Sequence, residues 1–330
     1  MKTILIVYGG CSSEYGVSLQ SAQAVLEHLD PKRWRALPVQ IARTGQWTYE
    51  GLPCTLRLDR GNAALLLLDG SGRALAFDGA FPVLHGKNGE DGTIQGLLEL
   101  AGVPIVGCGA LSSALCMDKD RAHKLAALAG AGVPRGRAFS RDTSLEELEE
   151  YAQELGWQLF VKPVRAGSSF GISRVCRREE LPEAVSSAFD HDREILLEGA
   201  VPGFEVGCAV LGDPPDLTVG AVDEIELSGD LFDFEEKYSL KTSAIHCPAR
   251  ISAQKALEIQ ETAKTVYTAL DCRGFARVDF FLTPTGEVLF NEVNTIPGFT
   301  AHSRYPSMMK AAGLDFAVLL DRLIELGVGK

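Results

Sequence analysis

Two short segments near the carboxyl end carry the densest chemistry: Arg277-Val-Asp279 and Glu292-Val-Asn294. Between them stands Thr283-Pro-Thr-Gly286, a turn by composition. If both flanks are extended and Thr283 pairs with Gly286, Arg277 falls opposite Glu292 and Asp279 opposite Phe290. Strand alternation then sets Arg277, Asp279, Glu292 and Asn294 on one face. Two carboxylates, an amide oxygen and a cation suit magnesium held against the phosphates of a nucleotide. The same residues would also make a solvated face laced with cross-strand ion pairs, and a slip of one residue would scatter them. The rigid Thr295-Ile-Pro-Gly298 turn after Asn294 favours the metal.

Cations that could meet phosphate lie upstream. Lys162 ends the apolar run Leu159–Val161, and Lys119 opens a helix over 118–130; each alone reads equally as a surface lysine. Arg165-Ala-Gly-Ser-Ser-Phe-Gly171 follows Lys162. Its glycines let a backbone approach phosphate and its serines line the approach, although a plain hairpin tip has the same composition. No GxxxxGK[ST] occurs, which excludes a Walker loop. Near the amino end, Gly9-Gly-Cys-Ser-Ser-Glu14 lies between a strand and a helix, where wound sheets bind ligands. Glu14 there suits an ammonium group better than a phosphate. His85-Gly-Lys-Asn-Gly-Glu-Asp-Gly92 would line the same crevice. Glu235-Glu-Lys-Tyr238 and His302-Ser-Arg-Tyr305 read alone as ordinary loop chemistry.

The elements that must position these residues change character along the chain. Strands at Lys2–Tyr8, Leu37–Ala42 and Gly79–Leu84 alternate with helices at Val17–Leu29 and Thr93–Ala101, which predicts a wound parallel sheet over 1–117. An α+β segment follows, with helices at 118–130, Ser144–Leu155 and Leu181–Phe189 and strands at Leu159–Pro163, Ile172–Cys176 and Glu194–Glu198. From about Phe204 the chain is strand-rich: Val206–Leu211, Thr218–Ile225, Phe275–Leu282 and Glu287–Val293. A polar loop over 229–248 and helices at Ala253–Leu270 and Phe316–Gly327 complete it; a loop of that length is usually a functional lid or disordered.

Composition bounds the rest. The chain has 330 residues, 46% hydrophobic, with 32 Lys+Arg against 44 Asp+Glu and a net charge of −12. An acidic surface repels a nucleic-acid backbone, so any bound phosphate needs a local cluster of cations or metal. The apolar run at the amino end is too short for a secretory signal and no later run reaches membrane length, so neither secretion nor a membrane anchor is expected. The eight cysteines lack any CxxC spacing and read as reduced cytoplasmic thiols.

Taken in order, GGCSSEYGVS, LHGKNGEDGT, SALCMDK, KPVRAGSSFGIS, GFEV, EEKY, ARVDF and NEVNTIPGFTAHS resemble the ATP-grasp D-alanine–D-alanine ligases from Ile4 to about Leu326, apart from residues 43–78. More narrowly they resemble the vancomycin-resistance D-alanine–D-serine ligases of the G type. The D-lactate branch replaces the Lys-Tyr pair that this chain keeps at Lys237-Tyr238. The resemblance implies an α/β plus α+β chain: a wound parallel-sheet pre-ATP-grasp domain (1–117), then a two-lobed ATP-grasp fold (118–205 and 206–330). It implies a reaction in which ATP phosphorylates the carboxylate of one D-alanine and the amine of a second amino acid, D-serine or D-alanine, attacks the acyl phosphate.

The implied roles follow the motifs. Lys119, Lys162, Ser169 and Lys237 would meet the ATP phosphates, and Glu198, Val201 and Glu205 the adenosine. Asp279, Glu292 and Asn294 would hold two Mg²⁺ ions, with Mn²⁺ a substitute. Glu14 would take the first ammonium, helped by His85. Arg277 and the Gly298 amide would stabilise the oxyanion, and Glu14, Ser168 and Tyr238 would link the closing loops. Ser303 would bind the second carboxylate, and Arg304, where D-alanine–D-alanine ligases carry leucine, would face the second side chain. A cytoplasmic homodimer is the family expectation. The hinge Glu198-Gly-Ala-Val201 departs from relatives with bulkier middle residues. Two readings of other classes remain: a nicotinamide-dependent oxidoreductase, weakened by the missing GxGxxG, and a non-catalytic nucleotide-binding module.

Overall fold

The computed structural model describes residues 1–167, 170–227 and 243–329. Its strands form sheets of seven, four and five, following one another along the chain.

In the first sheet, the buried run Lys2–Gly9 pairs in parallel with Trp34–Ile41 on one side and Gly79–Val83 on the other. The crossover helix Tyr15–His28 turns Ser18, Ser21, Ala22 and Val25 inward. A wound parallel arrangement is therefore present, but it is only the core of a mixed sheet. Trp47–Tyr49, Leu52–Arg57, Ala64–Leu67 and Ala74–Ala76 add an antiparallel meander to its edge. Strands of three to six residues, one containing Pro53, carry too little periodicity to be read from sequence.

The four-stranded sheet joins Leu159–Pro163 to Ser173–Val175, Glu194–Gly199 and Gly136–Ser140, all antiparallel. The helix Leu145–Leu155 opens on Ser144, whose hydroxyl accepts the Glu147 amide at 3.2 Å. That satisfies one of the donors a helix start leaves bare. Asp118 caps Lys119–Leu128 in the same way through the Arg121 amide. The third sheet runs Ser243–His246, Asp216–Leu227, Phe204–Asp213, Phe275–Leu282, Val288–Asn294. Ser243–His246 lies within the expected polar loop. The helices Ala110–Met117 and Arg304–Ala311 were not expected either; each has only eight residues, two turns.

The register of the last hairpin differs from expectation. Thr283 closes on Glu287, not Gly286: its amide donates to the Glu287 carbonyl at 3.0 Å. Leu282 consequently pairs with Val288 and Phe280 with Phe290. Continued regularly, that one-residue offset would turn Glu292 and Asn294 to the wrong face. A bulge at Asn291 adds a second offset, so Asp279 pairs with Glu292 and Arg277 with Asn294. The four side chains share a face after all, with different partners from those expected.

Two contacts tie the first sheet to this hairpin's exit. His85 Nδ1 lies 2.8 Å from the Ile296 carbonyl. The Glu90 carboxyl accepts the Gly86 amide at 2.8 Å and the Ile296 amide at 3.3 Å. Burial, then the nearby charge of Glu14, pushes the Glu90 pKa up to about 8. Folding therefore binds a proton at Glu90 over the range between an ordinary carboxyl and about 8, and stability falls as pH rises through it. Thermal melts from pH 4 to 9 are expected to show a smaller decline for Glu90→Gln than for the unsubstituted protein; parallel profiles would exclude this source.

Candidate active site

A cavity of about 320 Å³ opens where the three sheets meet, lined among others by Glu14, His85, Lys119, Glu292, Ser303 and Arg304. Arg277, Asn294 and Gly298 border it too. The walls come from the first helix, the 85–92 loop, the helix that Asp118 caps and the last hairpin with its exit turn. Sequence order separates these pieces by up to 290 residues (Glu14 to Arg304), and the fold brings them together.

Glu14 stands at the start of its helix, 7% exposed. A Cβ on Gly86 would fall 2.5 Å from its Oε2, and one on Gly167 3.7 Å away. The carboxylate thus sits between the 85–92 loop and the glycine loop. Gly86, at φ +74, is the kind of position where a side chain fits neither backbone nor space. His85 is buried, with Nε2 3.0 Å from Ser21 Oγ. Burial lowers its pKa and the charge of Glu14 opposes this. Its ring is a neutral strut between elements. Ser303 starts the helix Arg304–Ala311; its Oγ accepts the Thr300 amide at 3.0 Å, and a Cβ on Gly298 would lie 3.2 Å from it.

Charge is concentrated beneath the cavity. Asp279 is fully buried. Arg277 donates to both its oxygens at 2.7–3.0 Å, and Asn294 Nδ2 donates to Oδ2 at 2.9 Å. Arg304 binds Asp223 through Nε at 2.7 Å and Nη2 at 2.8 Å, reaches Glu205 with Nη1 at 3.2 Å, and passes 3.4 Å from Asp279. Burial opposes charge on both guanidiniums, and the carboxylates override it, raising both pKa values. Gly207 makes the room: it pairs with Asp223 on one side and Asp279 on the other, and a Cβ there would meet Arg304 Nη2 at 2.5 Å.

Other expected site residues lie elsewhere in the fold. Lys162 Nζ donates to Glu198 Oε1 at 2.5 Å, both almost fully buried, while Glu198 Oε2 is buried without a hydrogen-bond partner. Lys119 donates to the Ala166 carbonyl at 2.6 Å and stands 3.9 Å from Glu292. Val201 follows the strand that carries Glu198; Glu205 holds Arg304, an ion pair not anticipated from sequence. None of Lys162, Glu198, Val201 and Glu205 borders the cavity described above. Ser168, Ser169, Lys237 and Tyr238 lie outside the described residues. Asp223, Glu90 and Gly207 were not singled out by sequence, although an acid inside the apolar strand around Val222 is a signal that could have found Asp223.

The donor set fits magnesium. Asp279, Glu292 and Asn294 offer hard oxygens from paired strands, and among the described residues no three His, Cys, Asp or Glu side chains form a closed metal cage. Mg²⁺ is normally held by one or two carboxylates, with water and phosphate oxygens completing the shell.

Comparison with known proteins agrees with this arrangement. Family models described as D-ala D-ala ligase N-terminus and C-terminus match residues 3–108 and 128–325. A putative D-alanine–D-lactate ligase from Streptomyces coelicolor is 45% identical over 98% of this chain and 96% of its own. The vancomycin C-type resistance protein VanC1 of Enterococcus gallinarum is 41% identical over 99% and 98%. The crystal structure of the VanG D-Ala:D-Ser ligase from Enterococcus faecalis superposes with a TM-score of 0.92 at 52% identity, covering 99% of each chain. The chain belongs to the D-alanine–D-alanine ligase family and is an ATP-dependent D-alanine–D-X ligase that makes a peptidoglycan precursor.

Proposed function

We propose that this ligase joins D-alanine to D-serine. The observation that carries the reading is the place of Arg304: it borders the cavity beside Ser303, on a guanidinium fixed by Asp223 and Glu205. A hydroxyl on the second substrate would meet the remaining Nη1 hydrogen directly or through water. The whole-chain likeness to a D-Ala:D-Ser ligase supports the same choice. D-alanine as second substrate is the alternative, and the Lys237-Tyr238 pair speaks against D-lactate.

The residues divide the work as follows. Glu14 takes the ammonium of the first D-alanine, and His85 holds the crevice in shape. Lys119, Lys162, Ser169 and Lys237 bind the phosphates of ATP, while Glu198, Val201 and Glu205 face the adenosine, Glu198 with an unsatisfied oxygen that calls for a donor. Magnesium, held as two ions by Asp279, Glu292 and Asn294, supplies neutralisation of the phosphate charge during transfer. Arg277 and the Gly298 amide face the oxyanion formed when the second amine attacks; one such donor is worth ~10²–10³ in rate. Ser303 receives the second carboxylate. Glu14, Ser168 and Tyr238 link the loops that exclude water from the acyl phosphate. Residues 1–117, 118–205 and 206–330 act as three domains around these substrates, in a cytoplasmic homodimer. Neither nucleic acid nor membrane is a partner; among the described residues no helix is long and apolar enough to cross a membrane.

Phosphate release with ATP, Mg²⁺ and D-alanine, alone and with D-serine, tests the reading, with dipeptide identified by mass. A kcat/KM for D-serine at least ~10-fold above that for D-alanine is expected, shrinking in Arg304→Lys, which keeps the charge and loses the fork. Equal use of both amino acids would defeat the D-serine assignment. For the metal, Glu292→Gln is expected to raise the Mg²⁺ concentration for half-maximal rate by ~10-fold or more while leaving the thermal midpoint in place. An unchanged Mg²⁺ titration would remove Glu292 from the ligand set.

A further inference from the structure

The reaction as set out leaves the buried imidazole of His123 without a task. It lies one turn along the helix from Lys119, 7% exposed. Its Nε2 stands 2.7 Å from the carbonyl oxygen of Asn291, the extra residue of the bulge. A carbonyl only accepts, so Nε2 carries the hydrogen, and in the neutral ring Nδ1 presents a lone pair. Burial favours that neutral form, lowering the pKa against the opposing pull of Glu198. Phe290 packs edge-on to the ring at 5.5 Å and fixes its plane.

Nδ1 faces Glu198 Oε2 across 3.9 Å, too far for a hydrogen bond between them. The other oxygen of that carboxylate is taken by Lys162, while Oε2 is sealed from water without a partner. Two acceptors side by side in a dry pocket are costly unless a donor reaches both. An amino group on an aromatic ring carries two diverging hydrogens and can meet them together. A ring carbonyl would bring a third acceptor to the same place.

We propose that His123 Nδ1 and Glu198 Oε2 together read the exocyclic amine of the adenine ring, making His123 a nucleotide-specificity residue of this ligase. The inference rests on the adenosine role given to Glu198 above. The same ring holds the Asn291 carbonyl through its other nitrogen, so it fixes the bulge beside Glu292 as it selects the base.

ATP and inosine triphosphate, which carries a ring carbonyl in place of the amine, provide the test. His123→Gln retains an amide donor for Asn291 and loses the Nδ1 acceptor; His123→Phe keeps a flat ring against Phe290 and loses both nitrogens. Glu198→Gln, able to turn a carboxamide N–H toward the ring carbonyl, probes the pocket independently. In both His123 variants the ratio of kcat/KM for ATP over inosine triphosphate is expected to fall by ~10-fold, through a raised KM for ATP, with the KM for D-alanine unchanged. Binding of non-hydrolysable analogues of the two nucleotides is expected to follow the same ratio. A ratio in His123→Gln within about twofold of the unsubstituted enzyme, with its melting temperature retained, overturns the proposal. If Glu198→Gln still shifts the ratio in that case, the adenosine pocket stands and only His123 is excluded. If neither substitution shifts it, the role given to Glu198 falls as well.

Discussion

The constraint on which the rest depends is the burial of carboxylates on the floor of the third sheet. Asp223 and Asp279 are both fully buried, on strands that flank the one carrying Gly207. Unpaired carboxylates there would be prohibitive, and breaking such a pair typically costs ~3–5 kcal/mol. Arg277 answers Asp279 from its own strand, and Arg304 comes over from the next helix to meet Asp223. Everything else at this end of the molecule is arranged around that neutralisation. The exit turn must deliver the helix at Ser303 so that Arg304 descends over Gly207. Gly207 must lack a side chain, and the hairpin must hold Arg277 and Asp279 on the same face.

That arrangement also explains how a strongly acidic protein holds a polyphosphate. Net charge governs long-range encounters with large anions, whereas a small substrate responds to charges within a Debye length of ~8–10 Å. Several of the acids are already matched internally: Asp279 by Arg277, Asp223 and Glu205 by Arg304, Glu198 by Lys162. Glu90, with a pKa near 8, is largely protonated at neutral pH. The field at the cavity is therefore set by fewer anions than the composition suggests, and the lysines and arginines of its walls act against a largely neutralised background.

How much of this was legible in the sequence varied with the length scale of the cause. Buried runs such as Lys2–Gly9 and Phe275–Leu282 and capped helices such as Leu145–Leu155 declare themselves, because burial and capping act on neighbours in the chain. The edge meander over 47–76 does not. Its strands are too short for periodicity, and they are stabilised by pairing rather than by their own pattern. The motif residues of the site were legible as types, and the fold gathers Glu14, Lys119, Glu292 and Ser303 at one cavity. Their partners were not. Asp223 and Glu90 matter through contacts 80 or more residues away in sequence, Asp223 with Arg304 and Glu90 with Ile296, and no local spacing encodes those.

The hairpin shows why a correct conclusion can follow from an incorrect register. Which face a side chain occupies depends only on whether the total offset is even or odd. Closing the turn at Glu287 introduced one offset and the Asn291 bulge a second, and the two cancel in parity while shifting every pair by two residues. Face membership therefore survived, yet the partners changed: Asp279 lies opposite Glu292, a pair of carboxylates, where the simple turn gave Asp279 a phenylalanine. Two acids directly across a ladder repel unless a cation intervenes. Arg277 and Asn294 occupy the adjoining rung and turn their donors onto Asp279. A bulge that creates an unfavourable pair and is nevertheless held in place, here by His123 on its carbonyl, is the mark of a position kept for binding rather than for stability.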